Sequence, residues 1–321
     1  MDQNNLKNDP KSELDSLISA FASPVPQNIL TVYEKNKDHN KESALMKTEL
    51  KGPVFREFTI HIFQSINFLQ NLDDFDDEQW KEKVIELPFT KPGIKKTIIF
   101  DLDETLAHCV RQENPNRKPD IYLDIKLTNG KILKAGFNVR PYTKEVLEFC
   151  NEHFEVVCFT ASHKWYADVI LDYIDPEKKY IQHRLYRDSC IQANDKVYIK
   201  DLRIFGNRDL KDLIIVDNAV YSFGAQLDNG IPITPFKEDK EDSEFEHLIH
   251  YLANIKDHYD FRPANREAFK MKLVYNFSNN NYIDEYDYML CVDNSDDERH
   301  EDDEEENKID DKGSIKSEYT S

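Results

Sequence analysis

Three short apolar runs, each ending abruptly in polar side chains, constrain this chain more than any other feature. They are Thr97-Ile98-Ile99-Phe100 before Asp101, Val156-Val157-Cys158-Phe159 before Thr160-Ala161-Ser162, and Leu213-Ile214-Ile215-Val216 before Asp217-Asn218. Runs of this length without polar alternation fit strands buried on both faces, the condition of a parallel sheet. In open sheets of that kind, ligands gather at the carboxyl edge. Asp101, Asp103, Thr160, Asp217 and Asn218 are therefore expected to meet in one crevice, although the first and last are far apart in sequence.

The first run leads into Phe100-Asp101-Leu102-Asp103-Glu104-Thr105. Two carboxylates one residue apart are costly to bury unless a cation or proton compensates them. The pair points to a metal-dependent carboxylate site, with one aspartate as nucleophile and the other moving a proton. A calcium loop also begins Asp-x-Asp, but it needs Gly at its sixth position and Glu at its twelfth. Leu106 and Gln112 stand there instead. Taken alone, the segment would read better as a turn capped by acidic side chains.

The wider pattern resembles the aspartate-based phosphatases of the haloacid dehalogenase superfamily. More narrowly, it is similar to the small phosphatases of the RNA polymerase II C-terminal domain and their NLI-interacting-factor-like relatives. The resemblance lies in Ile99-Phe-Asp-Leu-Asp-Glu-Thr-Leu-Ala-His108, Val139-Arg-Pro141, Cys158-Phe-Thr-Ala-Ser162, Leu185-Tyr-Arg-Asp-Ser-Cys190, Tyr198-Ile-Lys-Asp-Leu202 and Ile215-Val-Asp-Asn218. It implies a Rossmann-like, doubly wound parallel α/β sheet with small β-hairpin insertions and no large cap domain. It also implies a magnesium-dependent phosphoserine and phosphothreonine phosphatase, with the polymerase C-terminal domain as a candidate substrate.

Residue roles follow from the same resemblance. Asp101 would attack phosphorus and become an aspartyl-phosphate, which divides one hard displacement into two easier ones. Asp103 would protonate the leaving oxygen and then activate the hydrolytic water. Magnesium would take the Asp101 carboxylate, the Asp103 backbone carbonyl and Asn218, with Asp217 beside them holding Lys200 or the metal's water. Lys200 and Thr160 would stabilise the transferring phosphoryl group. Thr105, Tyr166 and Arg187 fall at substrate-side positions, Thr105 also as a brace for the catalytic loop. Tyr122, Phe137 and Trp165 would either add apolar surface there or serve as ordinary packing. Ser162 reads better as the N-cap of a helix over residues 163–173 than as a catalytic group, and Arg140 as a structural residue. The segment after Asp217-Asn218 departs from the Ser-Pro usual in the family.

Two readings from other classes stay open on sequence. One is a non-catalytic module that grips a peptide with the same fold, and the other is a small-molecule phosphatase. A dead scaffold has no physical reason to keep Asp101, Asp103, Lys200 and Asn218 together, and an open cleft suits a peptide better than a metabolite.

Charge and patterning set the organisation. The chain of 321 residues carries a formal charge of −20, and from Val292 onward there are 13 acidic and 4 basic residues. Such an acidic balance argues against direct nucleic-acid binding, where a basic footprint is expected. With no apolar run long enough to span a bilayer and no signal-like N-terminus, a nuclear or cytoplasmic protein is expected. The five cysteines show no metal spacing and read as reduced thiols. The expected segments are a disordered extension (1–52), a helical segment (53–92) with Phe55, Phe58, Ile62, Ile66 and Leu69 at helical spacing, a catalytic domain (93–258), an extension (259–291) and an acidic disordered tail (292–321). Asn129-Gly130 predicts a hairpin between 121–127 and 131–139. A second hairpin is expected from 184–191 and 196–202, with Lys200 on its returning strand.

Overall fold

The computed structural model describes residues 78–110, 118–127, 129–194, 197–269 and 271, together with 62, 65, 66 and 68–70. The expected disordered extension, Phe55, Phe58 and the acidic tail lie outside them. In chain order the strands are β1 (Thr97–Phe100), β2 (Ala107–Val110), β3 (Ile121–Lys126), β4 (Ile132–Val139), β5 (Glu155–Phe159), β6 (His183–Leu185), β7 (Ile191–Asn194), β8 (Val197–Ile199), β9 (Leu213–Asp217) and β10 (Gly230–Pro232). The helices are α1 (Thr143–His153), α2 (Lys164–Ile174), α3 (Glu244–Ile255) and α4 (Arg262–Phe269).

The three apolar runs become neighbouring strands. The central sheet has the order β10-β9-β1-β5-β6 and every pairing in it is parallel. Phe100 stands opposite Cys158 on one side and Val216 on the other, so β1, β5 and β9 end at the same level. Their side chains divide by alternation even though the runs look uniformly apolar. Ile98, Phe100, Val156, Cys158, Ile214 and Val216 pack in one core with residues of α1, α2 and α3. Ile99, Val157, Phe159, Leu213 and Ile215 pack in another with Ile62, Ile66, Leu202, Phe205 and Phe223. Both faces of the sheet are thus covered, as the α/β reading requires. Each fully buried Ile or Phe contributes roughly 1.5–3 kcal/mol relative to exposure, which fixes register and therefore the level of the strand ends.

The first hairpin forms as expected and gains a strand. β2, β4 and β3 make an antiparallel sheet in that order, with Gly130 at φ +84° in the connecting turn, a conformation that Gly adopts without steric cost. The second expected hairpin is shorter. Residues 184 and 185 leave it to join His183 in β6, a parallel edge strand of the main sheet, and a 3-10 turn (Arg187–Ser189) separates them from the β7-β8 pair. Helical residues Ile62 and Ile66 are buried against the sheet. The chain entering β1 is pinned by buried Glu155, which accepts hydrogen bonds from Thr90 N, Thr90 Oγ1 and Lys91 N at 2.8–2.9 Å. Beyond residue 258, Phe261 is buried and packs on Phe154, and α4 follows it.

Candidate active site

The loop after β1 is folded tightly around one carbonyl. The amides of Leu106 and Ala107 both donate to Leu102 O, and Glu104 N donates to Ala107 O at 2.8 Å. Glu104 takes a left-handed backbone, φ 61°, a conformation that costs a non-glycine residue about 1–2 kcal/mol. Asp101 stays in line with β1, its amide donating to Val216 O at 3.0 Å. Asp101 is 6% exposed and lies between the ends of β5 and β9.

Lys200, just beyond β8, is buried with its Nζ 2.5 Å from Asp101 Oδ1 and 2.6 Å from Asp217 Oδ2. Its backbone amide donates to Ser222 O at 2.5 Å. Ser222 Oγ in turn donates to Asp217 Oδ2, and Asp217 Oδ1 accepts from Ala219 N at 2.7 Å. Both oxygens of Asp217 are therefore engaged, and the residue holds the lysine. The segment that departs from the usual Ser-Pro supplies this support through Ser222, which the sequence reading did not single out.

Thr105 is fully buried and exchanges hydrogen bonds with Asn218. Its Oγ1 donates to Asn218 Oδ1 at 3.2 Å and accepts from Asn218 N at 3.3 Å. The hydroxyl ties the β1 loop to the β9 loop, which is the bracing part of its expected role. Asp103 is held from the other side by three hydroxyls. Ser162 Oγ donates to Oδ2 at 2.6 Å, Tyr166 OH to Oδ1 at 2.9 Å, and Thr160 Oγ1 to Oδ2 at 3.4 Å.

Two expectations change here. Ser162 does not cap the helix; His163 occupies the N-cap of α2 without a side-chain cap bond, and the Ser162 hydroxyl turns to Asp103. Tyr166 is 2% exposed and sits in the core against Phe137, so what reaches the crevice is its hydroxyl. Arg187 Nε donates to Ala161 O at 2.5 Å, and its guanidinium lies over the Tyr198 ring. Arg140 is structural as read: buried, doubly bonded to Asp242 at 2.8–2.9 Å and bonded to Thr234 O.

Burial drives the Asp101 carboxyl above the usual carboxylate range, against the pull of Lys200 and with the help of Asp217 and Asp103. Burial also raises Asp103, although the Ser162 and Tyr166 hydroxyls favour its charged form. Burial alone would lower Lys200, but Asp101 and Asp217 together outweigh it and keep the ammonium charged. Cys190, pushed up to about 12 by burial, stays a thiol and is no nucleophile.

When fully ionised, the cluster holds three carboxylates (Asp101, Asp103, Asp217) around the Lys200 ammonium, a deficit of two positive charges. A divalent cation corrects that deficit, and oxygen donors from Asp101, Asn218 and the Asp103 carbonyl suit a hard ion. Among the described residues no group of three or more His, Cys, Asp or Glu side chains is by itself placed to hold a metal ion.

The arrangement is an aspartate-centred α/β site, with paired aspartates after the first strand facing an Asp-Asn and a buried lysine on an open parallel sheet. Residues 96–262 match the model of the NLI interacting factor-like phosphatases, and the chain belongs to that family. CTD small phosphatase-like protein 2 of Dictyostelium discoideum is 41% identical over 177 residues, covering 55% of this chain and 30% of the relative. CTD small phosphatase-like protein 3 of Caenorhabditis elegans is 39% identical over 240 residues, 73% of this chain and 78% of the relative. The human carboxy-terminal domain RNA polymerase II polypeptide A small phosphatase 1 is 32% identical over 168 residues, 51% of this chain and 62% of the relative. The chain thus spans from under a third to over three quarters of these relatives' lengths. Among the described residues no helix is long and apolar enough to cross a membrane.

Proposed function

We propose that the protein hydrolyses phosphoserine and phosphothreonine in other proteins through an aspartyl-phosphate on Asp101. The observation that carries the reading is the buried Asp101–Lys200–Asp217 chain of contacts beside the hydroxyl-held Asp103. Lys200 holds Asp101 Oδ1, which orients the carboxylate and supplies fixed positive charge where the phosphoryl oxygens pass; phosphoryl transfer depends mostly on such positioning and charge. An Asp101 oxygen forms the bond to phosphorus as the serine oxygen leaves, and Asp103 gives that oxygen its proton. Asp103 then takes a proton from water as the water attacks phosphorus, which frees phosphate and returns Asp101 to its carboxylate. Thr160 adds a hydroxyl donor at the end of β5, and Asp217 keeps Lys200 in place. Magnesium, held by Asp101, Asn218 and the Asp103 carbonyl, would supply Lewis-acid stabilisation of the phosphoryl charge.

The relatives' names make a phosphorylated RNA polymerase II C-terminal repeat the first protein substrate to try. The test is p-nitrophenyl phosphate and phosphopeptide turnover with magnesium, with EDTA, and with Asp101→Asn. Metal-dependent turnover lost in the variant supports the reading. A folded, magnesium-supplied wild type inert on both substrates favours a peptide-binding module instead.

A further inference from the structure

A groove of about 540 Å³ adjoins the loop that carries Thr160 and Ser162. Its walls come from the 3-10 turn Gln79–Lys83, the start of α2, the 3-10 turn Arg187–Ser189 and the β7-β8 pair. The groove and the catalytic crevice share structure. Arg187 donates from Nε to Ala161 O and from its backbone amide to Ser162 O at 3.1 Å, and Ser162 is the residue that holds Asp103. Tyr198 lies two residues before Lys200 on the same stretch of chain. Gln79 and Lys83 precede residues 96–262, which the family model matches.

The charge of the groove runs against that of the protein. Lys83, Lys164 and Arg187 bring three cations to it and Asp188 one carboxylate, in a chain whose formal charge is −20. Its floor is aromatic: the Lys164 ammonium lies 4.6 Å from the Tyr186 ring centre and the Arg187 guanidinium 4.8 Å from that of Tyr198. An oppositely charged recess in a repelling surface concentrates anionic ligands locally.

We infer that this groove takes an acidic run of the substrate protein, Asp and Glu residues flanking the phosphoserine, and thereby selects acidic phosphosites. The inference rests on the phosphatase reading above. Dispersed carboxylates suit it better than a second phosphate, which is best held by donors converging on one point. Here the cations sit on three separate elements, each directed at its own acceptor: Lys83 at Asp188 O (2.6 Å), Lys164 at Asp168 (2.6 Å) and Arg187 at Ala161 O (2.5 Å).

The experiment has two arms on the full chain. In the first, kcat/KM is compared for peptides with one phosphoserine and a flank of Asp/Glu, of Asn/Gln, or of a second phosphoserine. In the second, binding of the unphosphorylated acidic peptide is followed by fluorescence anisotropy at low and high salt. The acidic flank should gain about three- to tenfold over the neutral one, the range of a few screened surface pairs. The gain and the binding should both shrink in Lys83→Glu and, separately, in Lys164→Glu. Equal turnover of acidic and neutral peptides overturns the proposal, as does a gain confined to the second phosphoserine. Should no peptide be hydrolysed, the phosphatase reading fails while the binding arm still decides. Salt-sensitive binding weakened by Lys83→Glu sustains the groove assignment, and its absence overturns it.

Discussion

Tyr166 donates its hydroxyl to Asp103 Oδ1 across 2.9 Å, so a side chain packed in the core fixes the carboxylate proposed to move the proton. Hydrogen bonds to charged groups contribute about 1.5–3 kcal/mol. Tyr166→Phe keeps the ring and its contact with Phe137 but removes that donor. The fold should survive, with kcat for p-nitrophenyl phosphate down about tenfold and KM little changed. A selective loss of peptide KM with kcat intact would assign Tyr166 to substrate contact instead.

Ser162 gives a pH prediction with a definite sign. Burial raises Asp103, and the Ser162 hydroxyl opposes this by favouring the carboxylate. As the acid of the first step, Asp103 must be protonated, so activity falls as pH rises through its titration. Ser162→Ala removes a group that stabilises the charged form and moves the titration further up. The alkaline limb of kcat/KM should shift to higher pH, read from a pH profile at constant ionic strength. A shift to lower pH would contradict the assignment.

The strand-end residues were legible because β1, β5 and β9 are uniformly apolar until they stop, and the paired register Phe100–Cys158 and Phe100–Val216 makes them stop together. The partners of Asp103 were not. Ser162 and Tyr166 reach it across 59 and 63 residues of sequence, and no local pattern announces that. β6 was missed because His183-Arg184-Leu185 is a three-residue edge strand without an apolar run. Ser222 was missed because it supports Asp217 from a buried 3-10 segment (Val220–Asn229), a contact that no local sequence pattern marks.

Lys200→Met should separate charge from packing. The substitution leaves Asp101 and Asp217 buried without their ammonium, and breaking a buried pair typically costs about 3–5 kcal/mol. Turnover should fall at least a hundredfold, the scale for removing one preorganised charge-stabilising donor. Without the lysine, the folded state favours protonated Asp101 still more. The penalty is then absent at low pH, where both states are protonated, and grows as pH rises. Urea midpoints for variant and wild type should therefore converge on acidification. A constant gap across pH would mean that the lysine matters through packing alone.

Arg140 tests the frame behind the site. Its guanidinium, buried among Phe236 and Phe245, meets Asp242 through two hydrogen bonds and also donates to Thr234 O. Arg140→Ala should cost about 3–5 kcal/mol by leaving Asp242 and a backbone carbonyl unpaired. Arg140→Lys should recover little, because an ammonium cannot reproduce the two-pronged geometry. Urea unfolding gives both numbers, and a near-neutral Arg140→Lys would show that charge alone sufficed.

Metal removal can be read without turnover. The crevice has two more negative charges than positive when Asp101, Asp103 and Asp217 are ionised around Lys200. A divalent cation binding only the folded state stabilises it by about 2.7 kcal/mol at a hundred times its dissociation constant. Thermal unfolding of wild type in magnesium should therefore come several degrees above that in EDTA, a domain-size-dependent conversion of that energy. Asn218→Ala should lose most of the difference, since it removes a proposed ligand while leaving the carboxylates in place. Asp217→Asn should keep more of it, because both Asp217 oxygens already serve Lys200, Ser222 and Ala219 N. If Asp217→Asn abolished the shift and Asn218→Ala spared it, the ligand assignment of the two neighbours would have to be exchanged.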